Sequence, residues 1–140
     1  MSNAQLATEM LAAYQRGDRD GLAAMIDSAI EVVGAGGIVN EGTYSGLDGF
    51  MSWTAAWEEA WEDSHYEIVE LSEISDDIVV GAVRVRATGR NSGVPIKAVY
   101  GYLWEIKNNK ATRFHVYETH DEALRSAGRL SAGPPEAPEP

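Results

Sequence analysis

The order of patterns along the chain predicts an α+β domain, with three N-terminal helices packed on one face of a curved antiparallel sheet. Two observations carry this. Apolar residues recur at helical spacing in most of the first 63 positions, whereas from residue 65 to 120 they alternate with period two. The alternating half is interrupted only by short turn-forming strings, so its strands form consecutive hairpins. A curved sheet closed by helices is a cone with an apolar interior, a common geometry for a ligand site.

Each element has a local reason. In QLATEMLAAYQR, residues 5 to 16, Leu6, Met10, Leu11 and Tyr14 share a helix face, and Gly17 ends it. Asp18 caps a second helix, DRDGLAAMIDSA, whose apolar face is Leu22, Met25 and Ile26. Residues 30 to 44, IEVVGAGGIVNEGTY, set β-branched residues around a glycine cluster and predict two short strands and a turn. Gly34-Ala35-Gly36-Gly37 is a weak phosphate-loop signal, because no capped helix follows and no Lys-Ser/Thr ending is present. Gly46-Leu47-Asp48 opens a third helix that runs to about Asp63. HYEIVELSEI, DDIVVGAVRVRATGR, VPIKAVYGYLWEIK and KATRFHVYETH then read as four strands. Their turns are Ser75-Asp76-Asp77, Asn91-Ser92-Gly93 and Asn108-Asn109. Residues 121 to 127 predict a short closing helix. The domain therefore spans 1–127, and 128–140, with four of the five prolines and no aromatic residue, reads as a Pro-rich flexible tail.

Composition narrows the function classes. With 22 acidic against 11 basic residues the formal charge is −11, which repels phosphate backbones and argues against a nucleic-acid partner. No cysteine is present, so disulfides and thiolate metal sites are excluded. His65, His115 and His120 have no helical metal spacing, and no metal or cofactor is expected. No apolar run approaches the ~20 residues of a membrane span, and the N-terminus lacks the pattern of a signal peptide. The expectation is a cytoplasmic protein that does not engage membranes.

Three of the four tryptophans, Trp53, Trp57 and Trp61, stand four residues apart on the third helix, with Leu47 and Phe50 on nearly the same face. Thr54, Glu58, Glu59 and Glu62 fall opposite. An amphipathic helix of this kind lays its apolar side on the sheet. Three indoles nevertheless exceed what packing needs, since each buried N–H seeks an acceptor. Trp61 is read as core, and Trp53 and Trp57 as partly pocket-lining. In the fifth strand Ile96, Ala98, Tyr100, Tyr102, Trp104 and Ile106 form the interior face. In the last, Phe114, Val116 and Glu118 point in, and Arg113, His115 and Tyr117 point out. A one-residue bulge would turn His115 inward. The candidate pocket is thus Trp53, Trp57, Tyr100, Trp104, Phe114 and Val116.

AAYQRGDRDGLAAMI, TYSGLDGFMSW and VYGYLWEIKNNKATRFHVY, in that order and spacing, resemble the SnoaL-like branch of the NTF2-like (cystatin-like cone) superfamily over roughly residues 5 to 127. The resemblance implies a cone-shaped pocket, a homodimer, and activities that range from polyketide cyclases, ketosteroid isomerases and epoxide hydrolases to proteins without assigned activity; a fold does not choose among them. The three positions that carry ketosteroid isomerisation align with Leu11, Val33 and Tyr102, of which only Tyr102 can donate a hydrogen bond. The epoxide hydrolases' last-strand aspartate aligns near Val116. The cyclases' acidic residue aligns close to Glu118, which makes Glu118 the candidate acid/base, with Tyr14, Tyr102 or His115 as hydrogen-bond partners. The plainer reading of Glu118 is a solvated strand-end carboxylate. Two functions follow: a module that binds a small hydrophobic or aromatic molecule, or an isomerase- or cyclase-like enzyme using Glu118.

Overall fold

The first helix is fixed by its cap. Ser2 accepts the Gln5 N–H at 3.1 Å, while the Gln5 side chain accepts the Ser2 N–H at 2.7 Å, closing a capping box. In this computed structural model, which describes residues 1–34 and 41–131, that helix is α1 (Asn3–Gln15). Gly17, at φ +73°, turns the chain, and Asp18 caps α2 (Arg19–Ala24) by accepting the Gly21 N–H at 2.9 Å. The expected second helix ran five residues further, to Ala29. It stops because the Met25 carbonyl accepts the Ala111 N–H at 2.8 Å, so Ile26 leaves the helix and opens β1 (Ile26–Gly34).

After β2 (Gly42–Ser45) comes α3 (Gly46–Ala60), followed by β3 (Trp61–Glu73), β4 (Ile78–Gly89), β5 (Pro95–Lys107), β6 (Lys110–Tyr117) and α4 (His120–Ser131). The turn expected around Gly34-Ala35-Gly36-Gly37 lies largely outside the described residues, as do positions 132–140 of the expected tail. Helix α3 ends three residues earlier than its period suggests. Arg90 supplies the stop: its backbone N–H reaches the Ala60 carbonyl at 3.0 Å and its Nε donates to the Glu58 carbonyl at 2.6 Å. Trp61 is therefore extended (φ −129°, ψ 143°) and pairs with Gly89 in the sheet instead of completing a helical stripe.

The six strands lie in the order β2-β1-β6-β5-β4-β3. The predicted meander β3 to β6 is present, and the Asn108-Asn109 hairpin takes φ of +53° and +61°, as a two-residue turn requires. The expectation of a wholly antiparallel sheet is corrected, because β1 runs parallel to β6 (Val32 beside Phe114) and the sheet is mixed. The expected block of three leading helices is corrected too. Strands β1 and β2 intervene before α3, and a fourth helix follows the sheet.

Two apolar layers result. Helices α1, α2 and α3 cover the inner face, where Ile30, Val32, Val83, Val85, Trp104 and Phe114 are buried. On the outer face α4 covers only the half bearing Val80, Ala82, Gly101 and Leu103. Thr119 caps α4 by accepting the Glu122 N–H at 3.1 Å, and Ala123 and Ala127, one turn apart, sit fully buried on the strands. The helix continues past Gly128 to Ser131, but its packing on the sheet ends at Ala127, and residues 128–131 are exposed.

Gly101 permits this docking. A Cβ there would lie 2.3 Å from the Thr119 carbonyl oxygen and 2.7 Å from the Ala123 Cβ, and neither can move independently of α4. Gly101→Ala is expected to lower the unfolding free energy by about 1–3 kcal/mol. Gly128→Ala, at an open helical position, should raise it by about 0.5–1 kcal/mol. Denaturant midpoints of the two variants check both signs.

Candidate functional site

The inner wall of the sheet follows from strand alternation. Tyr100, Tyr102 and Trp104 of β5 point the same way, and across the antiparallel register Tyr102 meets Val116 and Trp104 meets Phe114 of β6. Phe114 is the hub. Tyr102 approaches it edge-on at 5.2 Å, Trp53 edge-on at 5.4 Å, and Trp104 lies tilted at 5.6 Å. Above this floor α3 brings Phe50, Trp53, Thr54 and Trp57, α1 brings Met10, Leu11 and Tyr14, and β3 brings Tyr66.

These side chains enclose a cavity of about 70 Å³ with no charged residue on its wall. All six expected pocket residues, Trp53, Trp57, Tyr100, Trp104, Phe114 and Val116, stand on that wall, and so do Tyr14 and Tyr102. Trp57 places its indole N–H 3.0 Å from Ser64 Oγ, which satisfies the donor and leaves the ring against the cavity. Trp61, on its strand, stacks on Trp57 at 5.7 Å and is not part of the wall.

Two expected residues lie elsewhere. Glu118 was placed inside with Phe114 and Val116. It is exposed and not on the wall, because β5–β6 pairing ends at Gly101–Tyr117 and the chain turns into α4. Its charge is felt at Tyr100. His115 points to the outer face, its Nε2 3.0 Å from Glu31 Oε1 and its Nδ1 3.2 Å from the Tyr117 hydroxyl. The bulge that could have turned it falls between Glu105 and Ile106, opposite Thr112, and leaves the register from Arg113 to Tyr117 intact. Burial outweighs the pull of Glu31 and holds the His115 imidazole below its usual pKa.

Sequence reasoning missed Thr54 and Tyr66. Thr54 was assigned to the polar face of α3, yet it is only 7% exposed, and its hydroxyl donates to the Met51 carbonyl at 2.8 Å. The signal was available: Thr54 lies four residues after Phe50 and three before Trp57, on their own stripe. Tyr66 sits opposite Val85 of the inner face, where the alternation of β3 would have placed it.

The side-chain oxygens of the wall are four phenols and one hydroxyl. Tyr14 donates to Glu58 Oε1 at 3.2 Å and meets Tyr66 edge-on at 5.6 Å. Burial, then Tyr66 and Glu58, push the Tyr14 phenol far above its ordinary pKa. Burial comes first in raising Tyr66, Tyr100 and Tyr102 as well. All four are therefore protonated at neutral pH; the Tyr14 proton is given to Glu58, and the other phenols can offer hydrogen bonds to a guest. Among the described residues no group of three or more His, Cys, Asp or Glu side chains could hold a metal ion, and no helix is long and apolar enough to cross a membrane.

With the hollow and its helical cover in view, comparison with known families is decisive. The SnoaL-like domain model matches residues 7–114. The chain belongs to the SnoaL-like domain family. No curated protein matches it. Among solved structures, an NTF2-like protein of unknown function from Burkholderia pseudomallei is 22% identical over 89% of this chain and 97% of its own, with a TM-score of 0.76. TerC, co-crystallised with polyporic acid, is 18% identical over 89% and 97%, with a TM-score of 0.74. A Mycobacterium tuberculosis protein in complex with estradiol-17β-hemisuccinate is 15% identical over 86% and 97%, with a TM-score of 0.71. At these identities the likeness shows the NTF2-like fold and nothing finer.

Raised phenol pKa values carry a pH signature. A folded state whose tyrosines ionise above the ordinary 10.0 keeps protons that the unfolded chain loses, so this contribution is full below pH 10 and fades as pH rises beyond it. Near-ultraviolet difference absorbance is expected to show Tyr14, Tyr66, Tyr100 and Tyr102 ionising only with alkaline unfolding, and Tyr102→Phe should flatten the loss of stability above pH 10. Ionisation of all six tyrosines near pH 10 in a chain that keeps its far-ultraviolet spectrum would contradict the assignment.

Proposed function

We propose that this SnoaL-like domain binds a small hydrophobic or aromatic molecule in the cavity between the helices and the sheet. The observation that carries it is a hollow of about 70 Å³ whose wall holds aromatic rings and neutral phenols but no charge. Filling such a largely apolar hollow restores dispersion contacts that its lining lacks. The ligands seen with TerC and with the mycobacterial protein support the reading. As it stands the hollow is about half the ~150 Å³ that accepts a benzene ring, so a ring enters only if side chains of the wall move aside.

The acid/base reading has less behind it. Glu118 is exposed, and no carboxylate stands on the cavity wall to exchange a proton with a guest. A homodimer through the open half of the outer sheet face has its own support: Val99 is 42% exposed there, beside Arg84. A monomer at high concentration in sedimentation would overturn it.

Phenol, toluene and indole should each raise the melting temperature and quench the fluorescence of Trp53 and Trp57. Val116→Phe, which fills the hollow, should abolish both effects at a cost of about 1–3 kcal/mol in stability. No response from the wild-type chain across a broad panel of small aromatics would remove the proposal.

A further inference from the structure

The interior hollow does not stand alone. A second depression, about 390 Å³, lies between the end of α1, the α1–α2 turn and α3. Tyr14, Leu22 and Thr54 line both, so these side chains stand between the two. The inner hollow is too small for a typical ligand, whereas sites for small molecules occupy about 300–1,000 Å³, a range the depression reaches but does not enclose. One elongated guest that uses both would obtain a buried apolar end and ample room. Opening the neck requires these side chains to shift: Thr54 is short, Leu22 is a buried core side chain that must change rotamer, and Tyr14 is tethered through its hydroxyl to Glu58, an exposed residue.

The chemistry of the two halves differs. The inner wall is uncharged, but Asp18, Arg19, Ser52 and Glu58 line the outer groove. Arg16 offsets Asp18 at 3.2 Å, and the Asp18 Oδ1 is occupied by the Gly21 N–H. Glu58 has one carboxylate oxygen bonded to the Tyr14 hydroxyl, and among the described residues no cation lies within 4.0 Å of its carboxylate, although Arg90 Nε donates to its backbone carbonyl at 2.6 Å. Arg19 is the one cation among the described groove-lining residues, set against Asp18 and Glu58. With Asp18 offset by Arg16, the second Glu58 carboxylate oxygen is the local feature that favours a cationic group over an anionic one.

We propose that the groove is the outer half of the binding site and takes the amine end of an elongated amphipathic ligand, whose apolar ring fills the inner hollow, with Tyr14, Leu22 and Thr54 forming the neck. This rests on the ligand reading above and adds the ligand's shape and charge to it. The ammonium would donate to Glu58, a charge-assisted bond, while a short alkyl linker passes Thr54.

Calorimetric titration with phenol, 4-phenylbutylamine and 4-phenylbutyrate tests it. The amine is expected to bind roughly ten-fold tighter than either phenol or the acid, as one charge-assisted bond in a partly enclosed groove allows. Ala55→Trp, at an exposed position that lines only the groove, should remove the amine's advantage and leave phenol binding unchanged. Glu58→Gln keeps an acceptor for Tyr14 and should bring amine and acid to within roughly three-fold of each other. Phenol binding with no preference for the amine, or an amine advantage that survives Ala55→Trp, would overturn the groove assignment and leave the inner site standing. Failure of all three probes to bind would instead sink the ligand reading, and the groove with it.

Discussion

The register of β5 is the constraint on which the rest depends. Its alternate residues serve two different layers: Tyr100, Tyr102 and Trp104 face the helices, whereas Gly101 and Leu103 face α4. A slip of one residue would exchange these sets, placing aromatic rings against Thr119 and Ala123 where even a methyl group does not fit. The two-residue Asn108-Asn109 turn sets the register on one side, and the close approach of α4 at Gly101 holds it on the other. Both the cavity and the outer helix follow from that single alignment.

Why a hollow survives in a domain this small is a question of shape. Rings packed edge to face around Phe114 tile the floor efficiently but meet the helices at angles that leave a gap. Branched aliphatic residues fill the neighbouring regions of the sheet, where Val79, Val83 and Val85 are sealed with almost no exposure. The void sits where aromatic residues of five separate elements, α1, α3, β3, β5 and β6, converge. Each ring is anchored by its own strand or helix, and none can close the gap without breaking another contact.

Polarity is partitioned as sharply as packing. The chain carries −11, yet none of that charge stands on the inner wall, whose side-chain oxygens are four phenols and the Thr54 hydroxyl. Phenols held above their ordinary pKa are donors that do not ionise at neutral pH, and they suit a guest with a single acceptor on an apolar body. Proton transfer would need a group titrating near neutrality within reach of that guest. His115, the half-buried imidazole on β6, is occupied by Glu31 and Tyr117 on the opposite face. The interior thus fits the proposed binding of a guest by shape and hydrogen bonding better than it fits proton transfer.

Much of this was legible from local pattern. The helical opening around Gly17-Asp18, the meander and its turns, and the inward sets of β5 and β6 depend on interactions between residues close in the chain, which periodicity and turn chemistry report directly. That is why Tyr100, Trp104, Phe114 and Val116 could be placed on the wall without coordinates. What only the tertiary structure decided depends on distant partners. Helix α2 stops because Ala111 claims the Met25 carbonyl, and α3 stops because Arg90 claims those of Glu58 and Ala60. The parallel pairing of β1 with β6 joins residues some 80 positions apart, and no local signal marks it. Glu118 kept the parity of an inward residue but lost its place when pairing ended one position earlier. Local sequence sets which way a side chain points along its own element, whereas the element's ends and neighbours are settled by hydrogen bonds from remote parts of the chain.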